Sequence, residues 1–308
     1  MKDLKNKLTT FLLIQLFLVI NPLCGQGLFQ LRNHSKTASG WGTGSAISSI
    51  NNNIDGVFLN PATLVNAPNF YHANFTNFIL DINTTSISFG RTSGKIKYAA
   101  NISYMNYGDF DKYDDAGNSM GDFSANDKEF SMVVARKLGN YLSAGLITSW
   151  LHSEIDDYNA SAITMGLGFQ YYVEQHKFAV SLSFNNFDKM LSNYSDYNEN
   201  IPNLILLGVS KQLLYLPAVV SFDLLKYNNL DIIGNLGVKF SPTNYYSIFL
   251  GTSSRKIELQ NQSGLKSLLS GVSLGFGFQI KTYNFDVSYS SLGDAGEITS
   301  FSIYKLLG

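Results

Sequence analysis

Residues 271–281, GVSLGFGFQIK, decide the architecture. Val272, Leu274, Phe276, Phe278 and Ile280 fall on one side of an extended chain; Gly271, Ser273, Gly275, Gly277 and Gln279 fall on the other. Successive side chains of a strand point to opposite faces, so one face is apolar and the other small or polar. The run is also long. A strand that crosses a bilayer needs about 9–11 residues, whereas an ordinary strand has about 5–6. HKFAVSLSFNN (176–186) repeats the pattern, with Phe178, Val180, Leu182 and Phe184 against Ala179, Ser181, Ser183 and Asn185. AITMGLGFQYYV (162–173) does so with Ile163, Met165, Leu167, Phe169, Tyr171 and Val173. The expected fold is all-β, a transmembrane antiparallel β-barrel.

Fourteen such segments are predicted, at 69–80, 82–91, 95–107, 127–138, 140–154, 158–173, 176–187, 202–213, 216–227, 229–241, 244–254, 268–281, 283–291 and 297–306. An even number suits a bacterial single-chain barrel. Composition agrees. Charged residues are 15% of the 308, below the roughly 25% of soluble domains, while Phe (22) and Tyr (18) abound. Mean hydropathy is +0.00.

The predicted connections have a polarity. The long ones, 108–126, 188–201 and 255–267, follow the third, seventh and eleventh segments. Tight turns at Ser93-Gly94, Gly139-Asn140, Glu174-Gln175, Pro242-Thr243 and Thr282 follow even ones. Short periplasmic turns and longer outer loops are the habit of outer-membrane barrels. Aromatics bunch at the same two levels: Tyr141, Tyr171, Tyr172, Tyr245, Tyr246 and Tyr283 on the short-turn side, and Tyr104, Tyr107, Trp150, Phe187 and Tyr227 on the other. These are the expected interfacial girdles.

The N-terminus reads as an export signal. Lys2, Lys5 and Lys7 precede the apolar LTTFLLIQLFLVI, and small or permissive residues follow around Cys24-Gly25-Gln26. Cleavage near residue 25 removes three lysines and one aspartate, leaving 19 basic against 22 acidic residues and no cysteine. Disulfides and thiol chemistry drop out, and an acidic chain without a basic patch is a poor nucleic-acid binder. Cys24 lacks the small preceding residue of a lipidation site.

Between the signal and the first strand lies SINNNIDGVFLNPATL, 49–64. Gly40, Gly42 and Gly44 permit unusual backbone angles, and Asn53 or Asp55 is placed to cap a short helix that Pro61 would kink or end. A fourteen-stranded barrel lined by Gly, Ser, Asn and Thr leaves a lumen to be filled. Residues 26–68 are therefore expected to form an N-terminal segment and hatch inside the barrel 69–308, with Asn60, Pro61 and Ala62 at its centre. The alternative is a disordered leader, against which Val57, Phe58, Leu59, Leu64 and Val65 argue.

Motifs for chemistry fail on context. GVSLG (271–275) matches G-x-S-x-G, but Ser273 sits inside an alternating strand rather than at a strand–turn–helix elbow. GWGTG (40–44) lacks the lysine and preceding strand of a phosphate loop. His34, His72, His152 and His176 show no metal spacing. Asp109, Asp111, Asp114, Asp115 and Asp122, in 108–126 with Lys112, read as an exposed, partner-facing acidic loop rather than a calcium loop. No catalytic residue, metal site or cofactor is expected, and the chain is not expected to be an enzyme.

Two stretches carry a resemblance. SINNNIDGVFLNPATL resembles the hatch of FadL-like fatty-acid-transporter barrels, in its Asn60-Pro61-Ala62. YMNYGDFDKYDDAGNSMGDFSANDKEF (104–130) and LGVSKQLLYLPAVVSFDL (207–224) resemble the PorQ family of the type IX secretion system. The match takes in Asn106-Tyr107-Gly108, Phe110-Asp111, Asp115-Ala116-Gly117-Asn118 and Gly121 to Ala125. At Asn51 to Asn53 the family often has acidic residues, and this chain ends Lys305-Leu306-Leu307-Gly308 rather than on an aromatic. The resemblance implies an outer-membrane protein that anchors a PorZ-like surface partner in the attachment complex. That complex joins secreted cargo to lipopolysaccharide after the sortase-like PorU removes a C-terminal signal. Contact with lipopolysaccharide would be indirect. The competing expectation is a FadL-like transporter of hydrophobic small molecules.

Overall fold

The computed structural model describes residues 30–33, 35–114, 116–194, 201–228, 230–254, 270–293 and 296–307. The expected signal peptide, 1–25, lies outside them. Fourteen strands follow one another: β1 (Asn69–Asn77), β2 (Asn83–Ser93), β3 (Ile96–Tyr113), β4 (Ser119–Lys137), β5 (Leu142–Ile155), β6 (Tyr158–Val173), β7 (Phe178–Ser192), β8 (Leu204–Gln212), β9 (Ala218–Tyr227), β10 (Ile233–Phe240), β11 (Tyr246–Ser253), β12 (Val272–Ile280), β13 (Tyr283–Ser291) and β14 (Glu297–Leu307). Each pairs antiparallel with its neighbours, and β1 pairs with β14 from Asn69 opposite Leu307 to Asn77 opposite Thr299, closing the barrel. Closure is what the bilayer demands. Hydrocarbon offers no partner for a strand edge, so every backbone N–H and C=O must find one within the sheet.

The period-two pattern sorts the faces. On β12, Leu274, Phe276 and Ile280 are exposed outward while Ser273 is fully buried inward. The inner face repeats this economy with Ser86, Ser88, Ser181, Ser183, Ser221, Ser300 and Ser302, all buried. Outward aromatics pack along the wall, as in the Phe278–Phe285 and Tyr246–Phe276 stacks at 5.2 and 6.0 Å. Tyr141, Tyr171, Tyr245, Tyr246 and Tyr283 are exposed at the short-turn end, and Tyr104, Trp150 and Phe187 at the other.

Tyr107, Tyr172 and Tyr227 depart from the girdles assigned to them. Each shares parity with inward residues of its own strand: Met105, Gln170 and Leu225. Tyr107 donates to Asp127 at 2.8 Å, and Tyr227 is buried.

The largest difference concerns residues 108–126. They form no long loop; β3 and β4 run on as an 18- and a 19-residue strand to a turn at 114–118. Gly108, at φ +92°, marks a register shift between Asn106 and Asp109, and the ladder resumes at Asp109 opposite Ser124. Polar residues on both faces hid this extension, because a strand in water needs no alternation. With β5, β6 and β7, the pair raises one side of the barrel above the rest. About eight residues beyond the bilayer span, at ~3.3 Å each, add about 26 Å of strand, which at a tilt of about 35–45° lifts the rim by about 20 Å. The expected 188–201 loop is shortened, β7 continuing to Ser192, and 255–267 lies outside the described residues.

The outer face makes a direct prediction. Val287 is the middle residue of β13 and points outward. Val287→Arg should lower folding stability in vesicles by about 2–4 kcal/mol, whereas Tyr283→Arg at the strand end should cost about 0–1. Urea unfolding in lipid vesicles reads both; equal losses would place the bilayer band elsewhere.

Candidate functional site

Residues 31–33 and 35–67 thread the interior, and the wall is built to receive them. After a 3-10 turn at Gln30–Asn33 comes α1 (Ala38–Gly42), capped by Thr37, whose Oγ1 accepts from the Gly40 amide at 3.1 Å. The Ala38 amide donates to Ser302 Oγ on β14 at 2.9 Å. Trp41 packs edge-on against Phe78 at 5.5 Å. GWGTG is thus the end of a helix and the turn after it.

From Ser45 to Ser49 the chain has no helix or strand to satisfy its backbone, and wall side chains do so instead. Asp223 on β9 accepts the Ile47 and Ser48 amides through Oδ2, both at 2.9 Å, and the Ser48 hydroxyl through Oδ1 at 2.8 Å. Ser221 donates to the Ala46 carbonyl at 2.6 Å; Gln170 and Ser210 both donate to the Ser49 carbonyl at 2.9 Å. Buried peptide groups left unpaired are expensive, so each contact ties the segment to the wall.

Asn60, Pro61 and Ala62 form a second anchor. The Asn60 side chain accepts from the Ala62 amide at 3.1 Å and donates to the Ser48 and Phe169 carbonyls at 3.0 and 3.3 Å. Pro61 does not end a helix; it opens the 3-10 helix Pro61–Asn66, where its fixed φ and missing N–H do no harm. Asn53 and Asp55 cap no helix. Asn53 donates to Asp55 at 2.6 Å, and Asp55 accepts from Ser39 at 2.6 Å, linking the two halves of the segment. Gly145 on β5 admits Pro61: a Cβ there would lie 2.5 Å from the Pro61 carbonyl carbon. Val57, Phe58 and Leu64 complete the packing against Ala99, Val133, Ala135 and Ile147.

A third tie is ionic. Glu129 on β4 meets Lys36 at 2.6 Å and Arg32 at 3.6 Å, all buried, and accepts from Ser131 at 2.7 Å. Burial pulls the Lys36 ammonium below the ordinary lysine range, with the Glu129 carboxylate opposing. Arg32 also donates to the Phe58 carbonyl at 3.0 Å.

Above the lumen, the acidic residues do not converge. Asp109 and Asp111 lie on β3 and Asp122 on β4, with Asp111 directly opposite Asp122. Asp114 sits in the turn, where hydrogen bonds from the Asn118 side chain and backbone hold its carboxyl below the usual range. Asp115 lies outside the described residues. Lys112 pairs with Asp156 across the rim. Phe110 stacks on Phe123 at 5.3 Å, on the face opposite Asp109 and Asp111; Tyr113, which donates to Asp111, and Met120 are exposed. Among the described residues, no group of His, Cys, Asp and Glu is placed to hold a metal. Ser273, inside β12, receives a hydrogen bond from Ser290 on β13 at 2.8 Å.

Asp223 and Glu129 escaped the sequence reading. The available signal was a carboxylate at an inward position of a membrane strand, where an unpaired charge is not tolerated.

No protein-family profile matches the sequence, and no curated protein matches it. Solved structures do. The fold is similar to that of the Pseudomonas putida toluene transporter TodX, with a TM-score of 0.60 and 11% identity over 92% of this chain and 98% of that one. A deltaS2 mutant of the TodX monoaromatic hydrocarbon channel gives 0.60 and 12% over 91% and 100%. The barrel is therefore of the FadL-like, TodX type in fold.

Asp223→Ala should free residues 45–49, since two buried amides lose their acceptor at about 1–3 kcal/mol each. Hydrogen exchange at Ile47 and Ser48 should accelerate at least tenfold while the strands stay protected. Unchanged protection would mean that Asp223 does not hold the segment.

Proposed function

We propose that this chain is an exported outer-membrane barrel, closed by an N-terminal hatch, that serves as a surface anchor of the type IX attachment complex. The observation that carries the anchor reading is the filled lumen. Wall residues on β4, β6, β8, β9 and β14 bond the luminal segment from several sides, which puts it in the way of a solute. Every neighbouring pair of strands is hydrogen-bonded around the barrel, with a register shift between β6 and β7 where Met165 faces Phe187 and Leu167 faces Phe184. With short turns in the periplasm, the raised rim of β3 to β7 stands on the cell surface. It carries Asp109, Asp111, Asp114 and Asp122, with Tyr113 beside Asp111 and Phe110 on the other face of its strand, an acidic and aromatic rim for a PorZ-like partner. The resemblance of 104–130 to the PorQ family supports the same assignment, and lipopolysaccharide would be reached through that partner.

A second reading is favoured by the fold. TodX barrels are hydrocarbon channels by their descriptions, and a FadL-like transporter would release its hatch to pass hydrophobic small molecules. Leu204, Leu206, Leu225, Tyr227 and Ile233 form an inward apolar cluster with Leu59 packed on it. Such a cluster would greet an apolar solute once Leu59 moved away.

Gene deletion separates the two. The anchor reading expects type IX cargo and its surface partner to be shed into the medium, with retention restored by the intact gene but not by one lacking 108–126. Normal retention, together with slowed uptake of a fluorescent fatty acid or of toluene, would replace it by the transporter reading.

A further inference from the structure

The short-turn mouth of the barrel holds a feature that neither reading uses. Beneath the turn at Asn51–Asn53 lies a cavity of about 420 Å³, framed by the turns after β4, β6 and β8. Pockets for small molecules run from about 300 to 1,000 Å³. Its lining is dominated by carboxamides: Asn51, Asn52 and Asn66 from the luminal segment, and Asn140, Gln175 and Gln212 from the wall. Asn52 holds its turn in the left-handed region at φ +55°. Asn66 is already engaged with Gln170 at 3.3 Å. Among the described residues, the side chains of Asn52, Asn140, Gln175 and Gln212 make no hydrogen bond within the protein. Four groups, each able to donate two hydrogen bonds and accept two, therefore converge on one concavity with that capacity unspent.

The chemistry of the lining selects the ligand. Apart from Val219 and the rings of Tyr141 and Tyr172 the lining is polar, so a wholly apolar solute is a poor fit. Lys137 and Lys177 against Glu174 leave only a slight positive balance, too weak to define an anion site. A ligand matched to neutral amides must itself both donate and accept at close spacing, as sugar hydroxyls and acetamido groups do. Tyr172, turned inward by its parity, adds an aromatic wall against which the C–H face of a sugar ring can lie.

We propose that this mouth is a binding site for a neutral glycan carrying acetamido groups, of the kind found in the cell-wall strands of the periplasm. Occupancy would tether the barrel to the wall from below without entering the lumen. The site stands whether the barrel anchors a partner or passes a solute.

The test uses the full mature chain in detergent, titrated calorimetrically with a tetramer of N-acetylglucosamine. Saturable binding is expected, weakened about tenfold or more by the double variant Asn140→Ala/Gln212→Ala, which removes two hydrogen-bonding groups. Both positions are exposed, and the unheated gel mobility of the variant checks that the barrel is intact. Co-sedimentation with purified sacculi should fall in parallel. Absence of saturable binding, equal affinity in the variant, or binding of a neutral tripeptide in place of the sugar would each overturn the proposal.

Discussion

The Asp223 carboxylate, accepting two backbone amides and a hydroxyl from the segment it encloses, states the constraint on which the interior rests. A chain that crosses a lumen as irregular backbone has nothing of its own to bond with, and the barrel wall must supply the partners. This explains why the inner face is a lattice of Ser, Asn, Gln and a few carboxylates rather than an apolar filling. It also explains why inward glycine recurs: Gly145 and Gly237 let the backbones of Pro61 and Thr43 approach more closely than any Cβ would permit. The outer face answers to lipid and the inner face to a peptide, and both demands are met by one alternation.

The three ties divide the work. Asp223 and its neighbours bind an extended stretch through hydrogen bonds, Asn60 and Pro61 dock a short helix through shape, and Glu129 fixes Lys36 and Arg32 through charge. Removing one partner of such a buried pair is damaging, about 3–5 kcal/mol, because the other charge stays behind. Because the three ties act at separate points of the wall, loss of any one would loosen part of the segment while the others hold the rest.

Much of this was legible in the sequence, for a physical reason. Bilayer strands are forced to alternate, so fourteen segments were found close to where they lie; β6 and β13 have the very limits predicted. Where that force stops, reading fails. Gly108 to Tyr113 and Ser119 to Ala125 continue as strands in water, where neither face must be apolar, and their polar residues imitate a loop. Pro61 was read as a breaker because its place in the helix depends on Asn60 before it. Tyr107, Tyr172 and Tyr227 were assigned by level along the strand without their parity. The partnership of Asp223 with Ile47 and Ser48 joins residues far apart in sequence, and no local pattern announces it.

The path of the enclosed segment has a consequence for how the molecule is made. Two of its helical pieces pack against opposite ends of the strand order: the Pro61–Asn66 helix against β3 to β6, and α1 against β11 to β14. The seam between β1 and β14 is the last bond a chain made in order can form. The segment precedes every strand in the chain yet bridges the first strands to the last, so its full seating and the shutting of the seam are coupled events.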